Sequence, residues 1–279
     1  MNIEQLIKIG SKKLKDHNIK SFLIDSEIIL ASVLDIKREE IFIKNNEDIS
    51  KKKIDRFHNL IERRSINEPI AYIVNSKEFW NYNFFVTKDT LIPRPETELM
   101  VEKICYENKK SRPLILDIGT GSGCIILSIL KDLKNSRGIG IDISKSALKI
   151  AKLNAENLGL SGKIKYFQFL NRCTNKKFDI VVSNPPYVST NEIKNLDADI
   201  KLFEPKIALD GGNDGLDVIR KLIYKVKNIL KVNGTFALEI GTGQYKKVSQ
   251  ILKKNKFREK HLVKDYQNNV RSIVCSLLR

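Results

Sequence analysis

The stretch FDIVVSNPPY, Phe178 to Tyr187, decides the fold. Its first half, Phe178 to Val182, is a short apolar run rich in β-branched residues, the pattern of a strand buried in an α/β sheet. The run breaks at Asn184-Pro185-Pro186-Tyr187. Neither proline can donate to a sheet ladder, and Pro185 keeps Asn184 out of the helical region. Asn184 is therefore expected just past the carboxyl end of a central strand, the edge where open α/β sheets bind ligands. The tetrad suits a planar NH2 group. The Asn184 side-chain oxygen and the Pro185 carbonyl can accept its two N–H bonds, which polarises and aims the nitrogen, and Tyr187 offers a flat face for stacking. A Pro-Pro turn that merely closes a strand is the alternative, and a second motif is needed to decide.

That motif lies upstream, in LILDIGTGSGCIILS, Leu114 to Ser128. An apolar strand ends at Asp117-Ile118, the turn Gly119-Thr120-Gly121-Ser122-Gly123 follows, and a helix opens. Glycines there let backbone N–H groups and a helix N-terminus approach a ligand closely. The spacing is G-x-G-x-G rather than the G-x-G-x-x-G of dinucleotide enzymes, and a shorter turn after an acidic strand end is more typical of S-adenosylmethionine sites. A second strand is expected at Gly138 to Asp142, with Ser144 capping the helix beyond it. Asp142 at that strand end is placed to accept ribose hydroxyls, or is simply a surface acid flanking a helix. A third strand, Lys163 to Phe169, brings Gln168 and Phe169 to the same rim. Further strands are expected at Gly234–Ile240, Phe257–Val263 and Val270–Leu277, with a helix near Leu216–Leu230, for about seven strands in all. The carboxyl ends of the four strands that lead to Ile118, Asp142, Phe169 and Ser183 are expected to converge on one crevice.

Working outward, Glu68 to Glu98 reads as a β-hairpin around Asn81 and Asn83, then an extended run held by Pro93 and Pro95, with Thr97 as a cap for the next helix. Arg94, stiff between two prolines, reads equally as a substrate contact or as a solvated linker arginine. Residues 1–75 show amphipathic helical spacing: Ile3, Leu6, Ile7 and Leu14; then Ile28, Ile29, Ser32 and Val33; then Ile54, Phe57, Leu60 and Ile61 after a cap at Ser50. This region carries no catalytic pattern and is expected to hold a partner. The organisation expected is thus a helical bundle at 1–75, a hairpin linker at 76–92 and an α/β domain at 93–279.

Composition narrows the classes. The 279 residues are 42% hydrophobic, enough for a core, and no apolar run approaches the ~20 residues of a membrane span. The amino terminus lacks a signal-peptide core, and the four cysteines, Cys105, Cys124, Cys173 and Cys275, form no C-x-x-C pair. A reducing cytoplasm is the expected location, with neither metal site nor disulfide framework. The net charge of +17 favours a nucleic-acid or ribosome-associated partner, but the lysines are spread along the chain as general compositional drift would spread them.

Taken together, EPIAYI and EFW, LIPRPETE, LDIGTGSG, SNPPY, the EP and DGGNDGL segments after it, LEIG with a following glutamine, and KDYQNNVR resemble the peptide chain release factor glutamine methyltransferases, from about Glu68 to the end. The resemblance implies a class I methyltransferase domain, Rossmann-like with a seven-stranded, mostly parallel sheet, beside a small N-terminal helical domain that docks the release factor. It implies methyl transfer from S-adenosylmethionine to the side-chain amide nitrogen of the GGQ glutamine of class I release factors, in a monomeric cytoplasmic enzyme with no metal. By motif, Gly119, Thr120, Gly121, Ser122, Gly123, Asp142, Phe169 and Asn184 would hold the cofactor. Asn184, Pro185, Pro186, Tyr187 and Arg94 would hold the substrate, and Asn184, Pro185 and Tyr187 would carry catalysis. Asn75 stands where the family usually has glycine, and Gln168 where an acidic residue is usual. Two other readings stay open: a nucleic-acid adenine N6-methyltransferase, since adenine also presents a planar NH2, and a non-catalytic ribosome-associated protein. The short tail after Tyr187 leaves little room for the recognition domain the first would need.

Overall fold

The computed structural model describes residues 1–109, 112–172 and 177–279, so Cys173 lies outside the described residues. The chain forms two units, one of Met1–Ser76 with Asp197–Phe203, the other of Lys77–Leu196 with Glu204–Arg279.

The first unit is helical: α1 (Ile3–Asp16), α2 (Phe22–Leu34), α3 (Arg38–Ile43), α4 (Lys51–Ser65) and α5 (Ile70–Ile73). Asn2 starts α1 with a capping box, accepting from the Gln5 backbone N–H while Gln5 accepts from its own. The apolar spacing seen in the sequence is the face that packs. Leu6, Leu14, Ile29, Leu30, Phe57 and Ile61 form one buried core. Ser50 does stand at the start of α4, but its hydroxyl makes no capping bond. Asn75 adopts φ +53°, the left-handed conformation that asparagine tolerates better than other non-glycine residues. The departure from glycine there leaves the backbone in a conformation glycine would also take.

The second unit opens with a hairpin, β1 (Lys77–Phe79) and β2 (Tyr82–Phe84), turned at Trp80 and Asn81 with φ of +59° and +93°. The hairpin therefore falls inside this unit, with Phe79 and Phe84 buried edge to face. There follow α6 (Pro95–Asn108), β3 (Leu114–Ile118), α7 (Cys124–Asp132), β4 (Arg137–Ile141), α8 (Lys145–Asn157), β5 (Ile164–Phe167) and β6 (Phe178–Ser183). After α9 (Ala198–Phe203), which belongs to the first unit, come α10 (Asp217–Ile229), β7 (Leu230–Glu239), α11 (Tyr245–Lys254), β8 (Phe257–Lys264) and β9 (Val270–Leu277).

The strand order is β5-β4-β3-β6-β7-β9-β8, parallel except for β9, which runs antiparallel to both neighbours. From β3 the chain moves outward through β4 to β5, then returns to lay β6 against the other side of β3. The order reverses between β3 and β6, and a crevice must open at their carboxyl ends. The two motifs that decide the fold end on either side of it. Phe178, Val181, Ile219, Phe236 and Ile273 belong to the core beneath that edge. No helix among the described residues is long and apolar enough to cross a membrane.

Candidate active site

A cavity of about 860 Å³ opens at the carboxyl ends of β3, β4 and β6, lined among others by Gly119 to Ser122, Asp142, Asn184, Pro185 and Pro186. The glycine turn that follows β3 needs its glycines, since Gly119, Gly121 and Gly123 have φ of +78°, +54° and +83°. The N–H groups of Gly119 and Thr120 both donate to the Ile141 carbonyl, which ties the turn to the end of β4. Gly123 does not line the cavity and instead starts α7, with a Cβ there landing 2.9 Å from Leu127. Across the crevice, the Ser183 hydroxyl donates to the Ile118 carbonyl at 2.6 Å and locks the end of β6 to the end of β3.

Asp142 follows β4 and accepts from the Gly121 N–H with Oδ2 and the Ser144 N–H with Oδ1, each at 2.9 Å. Burial raises its carboxyl above the ordinary value, and those two N–H bonds oppose the rise. Ser144 caps α8 as expected, accepting from the Ala147 N–H. Asn154, buried on α8, accepts from the Phe85 N–H and donates to the carbonyls of Phe85 and Ser122. It thereby fastens the glycine turn to the segment after the hairpin.

Asp117 lies at 0% exposure under the turn. Its Oδ2 accepts from the Thr120 hydroxyl, while Oδ1 has no hydrogen-bond partner among the described residues. Burial pushes this acid up to about 7, against an ordinary 3.8. A carboxyl with a raised folded-state value favours the protonated form, so its stabilising contribution is full below about pH 4 and is lost as pH rises through about 7. Asp117→Asn abolishes that titration. Its melting temperature relative to the parent, without cofactor, is expected to climb between about pH 4 and 7, and a constant difference over that window would refute the account.

Asn184 lines the cavity as expected, and its Nδ2 donates to the Thr97 hydroxyl oxygen at 3.4 Å. Thr97 is not a helix cap. Pro95 occupies the first turn of α6, with Arg94 preceding the helix, so Thr97 lies inside it and its hydroxyl donates to Glu239 Oε2 at 2.5 Å. Tyr187 does not line the cavity. Its hydroxyl donates to Glu239 Oε1 and accepts from Arg271, both at 3.3 Å. The flat face expected for stacking is thus replaced by a phenol built into a partly buried polar cluster. Its backbone is held as firmly: Gln244 donates to the Tyr187 carbonyl at 2.9 Å, and a Cβ on Gly215 would sit 2.4 Å from that same oxygen.

Arg94 lines the cavity, yet its guanidinium is ion-paired with Glu204, whose other oxygen accepts from the Ile92 N–H. It braces the segment before α6. Phe169 is 53% exposed and is not among the lining residues, while Gln168 donates to the Ile143 carbonyl. The sequence reading missed Glu239, Arg271, Asn154, Gln244 and Glu204 as parts of the site. LEIG and KDYQNNVR stand out as patterns in the sequence, but nothing local in either names the partner of its charge.

A seven-stranded sheet of this order, with a glycine turn and an Asn-Pro-Pro-Tyr strand end facing each other at its reversal, defines a class I methyltransferase domain. The fold matches the catalytic domain of hMettl16 in complex with the MAT2A 3'UTR hairpin 6 at a TM-score of 0.55, with 14% identity over 82% of this chain and 83% of that one. Residues 5–74 match the PrmC N-terminal domain, 95–205 the methyltransferase small domain, and 157–273 the Eco57I restriction-modification methylase. The release factor glutamine methyltransferase of Buchnera aphidicola subsp. Acyrthosiphon pisum is 41% identical over 97% of both chains. That of Caulobacter vibrioides is 35% identical over 94% of this chain and 92% of its own. The chain belongs to the release factor glutamine methyltransferase family.

Proposed function

We propose that this protein transfers a methyl group from S-adenosylmethionine to the side-chain amide nitrogen of the GGQ glutamine of class I release factors. The observation that carries the reading is the placement of Asn184 and Pro185 on one wall of the cavity and the glycine turn with Asp142 on the other, in a chain of this family. The cofactor fits the residues present. A turn of positive-φ glycines, a helix N-terminus at α7 and the Asp142 carboxylate form a donor and acceptor set suited to an amino acid joined to a nucleoside. When bound, S-adenosylmethionine supplies an electrophilic methyl on a sulfonium.

The chain's own residues do the rest by orientation. Asn184 Oδ1 and the Pro185 carbonyl accept the two N–H bonds of the substrate amide, which holds the nitrogen in line and raises the electron density on it; as the new N–C bond forms, the nitrogen releases one of its two protons to water. Gly119 to Ser122 and Asp142 hold the donor opposite. The helical unit that starts at Met1 recognises the release factor, and the enzyme works as a cytoplasmic monomer with no nucleic acid required.

Adenine N6-methylation gains some support from the match to a restriction-modification methylase, but the relatives that span nearly the whole chain favour the protein substrate. Labelled S-adenosylmethionine offered with a release factor, with the same factor lacking the glutamine, and with DNA or RNA separates the two. Label is expected only on the intact factor. Transfer to nucleic acid, with none to the factor, would overturn the proposal.

A further inference from the structure

An asparagine side chain has two ends of nearly equal size, and a half-turn of its amide exchanges an acceptor for a donor. Only one of these ends suits a substrate NH2 group. With Oδ1 toward the cavity Asn184 accepts, whereas with Nδ2 there it sets donor against donor. The local Pro-rich backbone fixes where Asn184 stands but does not choose between its ends.

The choice is made below the cavity. Glu239, at the end of β7, is 0% exposed; burial raises its carboxyl to about 7, while the Thr97 hydroxyl, the Arg271 charge and the Tyr187 hydroxyl favour the ionised form, which has two acceptor oxygens and no donor. Oε2 takes the Thr97 hydroxyl proton at 2.5 Å and Oε1 takes that of Tyr187 at 3.3 Å, while Arg271 from β9 donates to the Tyr187 oxygen at 3.3 Å. With its one proton committed to Glu239, Thr97 has only lone pairs left for Asn184, and it accepts from Nδ2 at 3.4 Å. Turning the Asn184 amide over would bring two oxygens face to face. A glutamine at 239 could not enforce the same direction, because its own amide has a donor end.

We infer that Glu239 and Thr97 are positioning residues that act through Asn184, holding its Oδ1 toward the substrate and so selecting the productive pose of the amide. The inference rests on the reading of Asn184 as an acceptor for the substrate N–H. It also accounts for a buried carboxylate in a place where burial alone is costly. Four parts of the fold meet in this cluster, namely α6, the turn after β6, β7 and β9, and Arg271 is anchored besides by donating from Nη1 to the Thr242 hydroxyl at 2.9 Å.

The test uses the full-length enzyme, a release factor and labelled S-adenosylmethionine, with single-turnover rates and calorimetric cofactor affinity measured side by side. Thr97→Val keeps the shape and removes the hydroxyl. It is expected to slow methyl transfer about tenfold, the size of one ordinary hydrogen bond lost from the reacting complex, with cofactor affinity changed less than about twofold. Thr97→Ser restores the hydroxyl and should stay within about threefold of the parent. In an Asn184→Ala background, Thr97→Val should add less than about twofold, because its target is gone. Glu239→Gln, which keeps the volume, should slow the parent yet also add nothing to Asn184→Ala. A Thr97→Val rate near that of the parent beside a slow Asn184→Ala overturns the inference and leaves the acceptor role standing. So does a Thr97→Ser as slow as Thr97→Val, or a double variant whose losses multiply. A fast Asn184→Ala overturns the acceptor reading itself, and the inference falls with it.

Discussion

Replacing Asn184 by alanine is expected to slow single-turnover methylation by about 100- to 1,000-fold, roughly 2.7–4 kcal/mol, the typical cost of one preorganised polar group that acts on the reacting centre. An amide nitrogen is a poor nucleophile because its lone pair is shared with the carbonyl. Two acceptors fixed in space can localise it, and Ala removes one. The rest of the site should survive, since Ser183 and Ile118 still join the strand ends and Gln244 still holds the Tyr187 carbonyl. Cofactor affinity should therefore change far less than turnover. Asn184→Asp is the finer probe. It keeps an acceptor toward the substrate but loses the Nδ2 donor to Thr97, and it brings a second carboxylate toward Glu239. Its rate should fall between those of the parent and Asn184→Ala. A rate for Asn184→Ala within threefold of the parent would make Asn184 a structural residue.

What was legible in the sequence was local. Pro185 and Pro186 stop a strand wherever they occur, and glycines spaced as Gly119, Gly121 and Gly123 make a turn that few other residues can follow. Apolar runs of strand length between such breaks therefore placed β3, β4 and β6 and the crevice where they end. The partner of a charge was not legible in the same way. Thr97 carries the signature of a helix cap, and only the fold shows that Pro95 starts the helix and that the hydroxyl meets Glu239, 142 residues away. Arg94 looked like a free cation between prolines, but Glu204 answers it from 110 residues along the chain.

Tyr187 and Phe169 carry the same lesson for aromatics. From the sequence, Tyr187 reads as a stacking surface and Phe169 as a rim residue that would hold the cofactor. Tyr187 has a second handle, and a phenol finds a hydrogen-bond partner when buried, so the hydroxyl decides its place. Phe169 lies past the end of β5 at Phe167, beyond the ladder that would hold it at the rim. Position within a strand was readable to a residue or two except at β7, which begins at Leu230 rather than Gly234 because an irregular first pairing, Phe178 with Leu230, precedes the regular ladder. Where a side chain goes after the ladder stops depends on packing that one sequence does not display.

Removing the Asp142 carboxylate is expected to weaken S-adenosylmethionine binding by roughly 1.5–3 kcal/mol, or about 10- to 150-fold, the range for hydrogen bonds to a charged group. Two losses are combined in Asp142→Ala. One is the acceptor for the ribose hydroxyls. The other is structural, because Asp142 Oδ2 holds the Gly121 N–H and Oδ1 the Ser144 N–H, so the glycine turn loses a tie to the end of β4. The turn keeps its other tie through the Gly119 and Thr120 N–H groups to the Ile141 carbonyl, and Ser144 still caps α8. The fold should thus hold, with a small fall in melting temperature beside a large fall in affinity. Asp142→Asn separates the two losses. It retains one acceptor oxygen and little else, so one backbone tie persists while the charge that strengthens the ribose contact is gone. Affinity for Asp142→Asn should lie between parent and Ala. Calorimetric affinity unchanged in Asp142→Ala would remove Asp142 from the cofactor site and leave it only its role in fastening the turn.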